Sequence, residues 1–201
     1  QHHGIAVHQL PACATYEAYE AMASSCLNIG QEPLAKICLT DMKKRLGQDY
    51  IYVSSSWDME EIENHLQAVA SRLHIECPSY AAEKEQCEKA LAQARQCLGQ
   101  MPIAVDYTAV MRPFSLARLL LTYGFWVERI YADGANPEDA EDFYWIQAHY
   151  PQLQLYATRH ADMRCLARTT AQPMLAIGQK AAYFTGTKHF VDMAEGGGLR
   201  D

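Results

Sequence analysis

Along most of its length this chain alternates short apolar runs with stretches whose apolar residues recur every three or four positions. That alternation restricts the fold more than any other feature. A strand cannot be joined to a parallel neighbour by a tight turn; it needs a crossover, usually a helix. Strand-sized runs separated by helix-sized amphipathic stretches therefore imply βα units and parallel sheets. The fold class expected is α/β: two Rossmann-like units with parallel sheets flanked by helices, joined by a helical connection.

The first unit is expected over 1–76. Its strands are read at 5–10, 26–29 and 50–53. Between them lie a helix after Thr15, an N-cap type, and one from Pro33 to a stop at Gly47, with Leu34, Ile37, Cys38 and Met42 at helical spacing. Asp58, with Glu61 three residues on, is placed to cap a helix over 58–74 whose stripe is Ile62, Leu66, Val69 and Leu73. A charged, alanine-rich helix over 80–98 reads as an exposed connection within 77–100. The second unit, 101–201, repeats the pattern. A four-stranded parallel sheet is expected from 103–106, 126–132, 153–156 and 174–177, with helices over 113–123, from about 137 to 149, and briefly over 160–167.

With 49% hydrophobic and 20% charged residues, 201 residues can bury a sizeable core. The net charge of −7 supplies no basic footprint, so neither nucleic acid nor an anionic membrane surface is an expected partner. No apolar run reaches the roughly 18 residues needed to span a bilayer, and a cytoplasmic location is expected. The chain begins at Gln1 and ends at Asp201 shortly after a glycine run, and reads as a piece of a longer polypeptide. Seven cysteines, an odd number without C-x-x-C spacing, suggest small buried hydrophobes in a reducing compartment rather than a disulfide framework or a metal knuckle.

In open parallel sheets, ligands bind beyond the carboxyl ends of the strands. Those ends carry Ser54, Ser55, Asp106, Tyr107, Asp133, Gly134, Gly178, Gln179 and Lys180. Gly178-Gln179-Lys180 follows a strand and opens a helix, where backbone N–H groups and a lysine can hold an anion. A turn glycine and a solvated lysine explain the same three residues. Neither a phosphate-loop nor a G-x-G-x-x-G fingerprint occurs. His160, Asp162 and Cys165 crowd within six positions, too local for a closed metal site or a nucleophilic dyad.

Two stretches carry a family resemblance: 113–125 with Tyr131-Ala132-Asp133, and 177–186 with His189-Phe190-Val191-Asp192. Both resemble helix and strand steps of nitrogenase component 1-type oxidoreductase subunits, and Asp41 to Gly47 and the acidic helix start after Trp57 follow the family more loosely. The resemblance implies the two later Rossmann-like domains of a subunit that carries three. It also implies a second component 1-type subunit and an ATP-dependent iron–sulfur reductase as partners, and a dimer or higher oligomer in the parent. An iron–sulfur cluster or metallocofactor is implied for the parent, with cluster cysteines mainly in the first domain, and no cofactor is expected in this stretch itself. Gln31 falls near the family's cofactor-binding cysteine and Leu199 or Arg200 near its histidine. None replaces the missing ligand, so nitrogen fixation itself is not implied.

The reading expected is thus a fragment of a nitrogenase-like subunit, contributing a pocket and a subunit interface to ATP-coupled multi-electron reduction. Its pocket residues would be Ser54, Tyr107, Asp133, Gln179 and Lys180. The alternatives are a non-catalytic module binding a small molecule or tetrapyrrole, and a scaffold subunit that assembles a cofactor.

Overall fold

A computed structural model of the chain describes residues 4–168, 170 and 172–192. It divides into two compact units, Gln1–Ser54 with Glu63–Pro78, and Ser55–Ile62 with Ser79–Asp201. Each is an α/β arrangement with a parallel sheet.

In the first unit, α1 (Tyr16–Ala21) is capped by Thr15, whose Oγ1 accepts from Ala18 N at 3.2 Å. Strands β1 (Asn28–Gly30) and β2 (Tyr50–Tyr52) pair in parallel across the crossover helix α2 (Pro33–Leu46). Pro33 opens α2, and Gly47, with φ of 70°, ends it in the left-handed conformation that costs glycine little. Two expectations are corrected here. Residues 5–9 form no strand, and Leu10–Ala12 is a single 3-10 turn; Val7 and Leu10 are exposed, so the apolar run has no sheet to pair with. The buried face of α2 is not the one expected either. Leu34 and Ile37 are 74% and 70% exposed, whereas Leu39 is buried, because α2 packs on β1 where Gly30 has no side chain. Helical spacing identifies a stripe without saying which way it faces.

Helix α3 (Met59–Leu73) places its first residues in the second unit and the rest in the first. Asp58 caps it, its Oδ1 accepting from Glu60 N at 2.8 Å and Glu61 N at 2.9 Å. Helix α4 (Ala81–Leu98), expected as a separate connection, groups with the second unit: Leu91 and Leu98 pack against its core and Arg95 Nε donates to Gly124 O at 2.9 Å.

The second unit contains β3 (Ile103–Asp106), α5 (Pro113–Thr122), β4 (Val127–Tyr131), α6 (Ala140–His149), β5 (Gln154–Tyr156), β6 (Leu175–Ile177), α7 (Gln179–Thr185) and β7 (His189–Val191). The sheet has five strands in the order β5-β4-β3-β6-β7, all parallel, not the four expected. The additional strand β7 is three exposed residues at the sheet edge, too short for a pattern of its own. The region read as a helix over 160–167 is a 3-10 turn, Ala161–Arg164.

Alternation along β3 sets the layers. Ile103 and Val105 join the core beneath α5 and α6 with Phe114, Leu116, Leu120, Ile130 and Ile146, whereas Ala104 faces the opposite layer with Tyr131, Met163, Met174 and Ala181. Between Ile103 and Ala104 the pairing with β4 shifts from Val127 to Arg129. That irregularity lets Val127 and Ile130, three residues apart, enter the same core. On the other face, fully buried Tyr131 stacks between Tyr156 at 5.1 Å and Phe184 at 5.3 Å.

Candidate functional site

The strand order reverses at β3: β4 and β5 follow to one side, β6 and β7 to the other. Such a switch point opens a crevice at the carboxyl ends of the two central strands. Here the end of β3 supplies Asp106 and Tyr107, and the residues after β6 supply Gly178, Gln179 and Lys180.

Asp106 is fully buried. Its Oδ2 accepts from Ala181 N in the first turn of α7 at 2.6 Å, and its Oδ1 accepts from Thr108 N at 2.6 Å and from the Thr108 hydroxyl. The α7 start, expected to offer its N–H groups to an external anion, thus already spends the Ala181 N–H on the protein's own carboxylate. Gly178 makes this possible. Its φ of 104° and ψ of 155° lie in a region almost restricted to glycine, and a Cβ there would sit 2.5 Å from Asp106 Cγ.

The adjacent pair makes a second tie across the switch point. Lys180 Nζ lies 4.1 Å from the centre of the Tyr107 ring and donates to its hydroxyl. On the far side of β3, Asp133 accepts from Thr158 Oγ1 at 2.7 Å and from Arg159 N at 2.9 Å, and Arg159 Nε stands 3.2 Å away. Partial burial pushes the Asp133 carboxyl up, but these two donors and the charges of Arg159 and Lys180 outweigh it and hold the group below its ordinary value. Gln179 donates to Asp192 at 3.1 Å. Of the five residues expected to line a pocket, Tyr107 and Lys180 touch, Asp133 feels the Lys180 charge, and Gln179 is engaged with Asp192. Ser54 belongs to the first unit, just past β2.

Sequence reasoning missed a second constellation. Arg112, 6% exposed, immediately precedes α5. Its guanidinium donates to Glu61 at 2.9 and 3.0 Å, to Asp142 at 2.9 Å and to Ser55 O at 3.1 Å, and lies 3.6 Å from Asp139. Arg118 holds the other Asp142 oxygen at 2.9 Å. Asp139 caps α5 from outside, its two oxygens accepting from Phe114 N at 3.1 Å and Ser115 N at 2.9 Å. Burial, only partly offset by these N–H groups and by Arg112, pushes the Asp139 carboxyl up to about 6. The available signal was an arginine directly before a helix-opening proline: a cation is the wrong sign for a helix start, so carboxylates must gather there.

Beside this cluster lies a cleft of about 230 Å³ within the second unit. One wall is Trp57, Asp58, Met59 and Glu60. The others come from α4, α5 and α6, including Ser115, Arg118 and Asp142.

The sequence profile described as "Nitrogenase component 1 type Oxidoreductase" matches residues 2–194, nearly the whole chain. The chain belongs to the nitrogenase component 1-type oxidoreductases. A solved structure described as "Nitrogenase Cp1 at pH 6.5" has a similar fold, with a TM-score of 0.59 at 13% identity, covering 85% of this chain. The chain spans 39% of the length of that nitrogenase chain. No curated protein matches it.

Among the described residues of this component 1-type chain the donor set does not fit a metallocofactor. Gln31, near the place expected for a ligating cysteine, is an exposed loop amide without a thiolate. Leu199 and Arg200 lie outside the described residues. Among the described residues, no three His, Cys, Asp or Glu side chains are grouped to hold a metal ion. His160 and Asp162 form a local exposed contact at 3.4 Å, and Cys165 beside them is exposed. All seven cysteines are free thiols. Among the described residues no helix is long and apolar enough to cross a membrane.

Proposed function

We propose that this chain is part of a nitrogenase-like oxidoreductase subunit and contributes the switch-point crevice of its second unit to ATP-coupled multi-electron reduction. Membership of an oxidoreductase family over residues 2–194 supports this reading. The observation that supports the site is the Lys180–Tyr107 pair: a half-buried lysine held on the Tyr107 ring and hydroxyl at the junction of β3 and β6, where doubly wound sheets take their ligands. In this reading Lys180 and Tyr107 hold an anionic group of the substrate or cofactor, with Gln179 and Asp133 as neighbouring polar groups, and Ser54 serves a ligand edge of the first unit. Lysine suits the role because it offers a compact charge with three donors. In this reading the parent's redox centre and partner subunits lie outside this chain. Its partners in this reading are a second component 1-type subunit and an ATP-dependent iron–sulfur reductase, working in the cytoplasm.

The test is made on the full-length parent. Expressed with its gene neighbours, it should co-purify with a second component 1-type subunit and carry out ATP-dependent reduction with an iron–sulfur reductase. Lys180→Gln should raise the KM for the physiological substrate or weaken cofactor retention about tenfold or more, while Lys180→Arg restores part of it. A parent that binds a small ligand but neither recruits a reductase nor turns over is a binding module, and one that releases a cofactor to another protein is an assembly scaffold. Either outcome ends the proposal.

A further inference from the structure

The cleft beside the Arg112 cluster shares no lining residue with the switch point, and two helix faces explain its lining. Its floor is a stripe of α5, in which Ser115, Arg118, Leu119 and Thr122 recur at helical intervals. One wall continues the inward stripe of α4. Lys84, Glu88, Leu91, Arg95 and Leu98 stand three or four residues apart; Leu91 and Leu98 pack on the core, and Arg95 reaches Gly124 O. Where this stripe passes the cleft it carries an ammonium and a carboxylate in place of leucines. Leucines there would gain by packing the gap shut, whereas charged groups need a polar occupant, water or ligand, to stay solvated.

Most charges in the lining are already committed. Asp142 is held by Arg118 and by Arg112, each at 2.9 Å; Arg118 also lies 5.0 Å from the centre of the Trp145 ring, and Asp58 caps α3. Three are not. Among the described residues, Lys84, Glu60 and Glu88 have no side-chain hydrogen bond or ion pair. A further group is uncommitted at the floor. Ser115, 3% exposed, accepts from Trp57 N at 3.2 Å, but its own O–H meets no acceptor among the described residues. A buried donor in that state costs free energy that a bound acceptor recovers.

We propose that this cleft binds a small zwitterion with an apolar body, of the α-amino acid class. A cation alone would meet Lys84, and an anion alone would meet Glu60 and Glu88; a molecule carrying both signs suits all three. Its carboxylate is the acceptor that Lys84 and the Ser115 hydroxyl lack, and its ammonium is the donor for Glu60 and Glu88. Trp57, Met59 and Leu119 supply the surface for its apolar side chain. The cleft volume of about 230 Å³, below the roughly 300–1,000 Å³ of drug-sized pockets, suits a ligand the size of one amino acid. This site is independent of the Lys180–Tyr107 reading.

The test is NMR titration of the whole chain at neutral pH with three probes that share a phenyl body. These are phenylalanine, phenethylamine, which lacks the carboxylate, and 3-phenylpropionate, which lacks the ammonium. Phenylalanine should bind with a Kd of about 1–5 mM, the range that a ligand of about a dozen non-hydrogen atoms reaches at ordinary efficiency, and should shift the Trp57 indole and Leu119 methyl signals. Each single-charge analogue should bind at least about fivefold more weakly. Lys84→Gln should bring phenylalanine down to the level of phenethylamine, and Glu60→Gln combined with Glu88→Gln to that of 3-phenylpropionate. All three positions are exposed, so these variants should keep the fold. No saturation below about 20 mM, signal shifts that map away from the cleft, either analogue binding as tightly as phenylalanine, or variants that bind it unchanged would each overturn the proposal.

Discussion

Replacing Gly178 by alanine tests the junction between β3 and α7. Two costs add. The backbone at 178, φ 104° and ψ 155°, is a conformation that costs a residue with a Cβ about 1–3 kcal/mol. The added methyl would also lie 2.5 Å from Asp106 Cγ and 2.7 Å from Oδ1, so the carboxylate must leave Ala181 N, losing a charged hydrogen bond of about 1.5–3 kcal/mol. Restricting the unfolded chain returns about 0.4–1 kcal/mol. The expected net destabilisation is about 3 kcal/mol, read as a lower urea midpoint at unchanged slope. The costs separate in a double-mutant cycle: with Asp106→Ala already present, Gly178→Ala should cost only the backbone share, leaving a coupling of about 1.5–3 kcal/mol. A single variant losing less than 1 kcal/mol, or a coupling near zero, would refute the reasoning.

Three further outcomes are expected. Arg112→Met strands Glu61, Asp139 and Asp142 without their shared guanidinium and should cost about 3–5 kcal/mol in urea unfolding, with Arg112→Lys losing less. Leu34→Lys and Ile37→Lys, on the exposed face of α2, should change stability by no more than about 0.5 kcal/mol, and a core-sized loss would mean that face is covered. Asp133 has a depressed pKa, so its contribution to stability is present above its ordinary value and is lost as pH falls through the lowered one. Asp133→Asn should therefore flatten the acid limb of the stability curve below about pH 4, measured by thermal unfolding between pH 2.5 and 6.

Periodicity made most elements of the second unit legible because their apolar residues face real cores: Ile103 and Val105 on one side of the sheet, Leu116 and Leu120 on α5. Where packing was thin, the same signal misled. Residues 5–10 alternate plausibly yet have no neighbouring strand, and the Leu34–Ile37–Cys38 stripe of α2 points outward. Strand β7 was hidden because three exposed edge residues carry no pattern. At the candidate site, strand-end logic singled out Tyr107 and Lys180, which touch, but could not reveal that Asp106 occupies the helix start beside them. That contact spans 75 positions, and nothing local to α7 announces it.

Asp106 and Asp139 solve the same problem on opposite faces of one sheet. Helices α5 and α7 begin after Arg112 and Gly178, neither of which caps its own helix with a side chain. Each first turn instead receives a buried carboxylate from a distant element, Asp139 for α5 and Asp106 for α7. A cap taken from elsewhere in the chain forms only when the tertiary fold does, so it couples helix formation to sheet assembly more tightly than a local serine or aspartate would. The two differ in what accompanies the acid. At α5 the guanidiniums of Arg112 and Arg118 stand in the same cluster as the capping acid. At α7 a glycine admits the carboxylate, and the one nearby lysine rests on a phenol. The first cap stands beside two guanidiniums, and the second depends on the missing Cβ at Gly178.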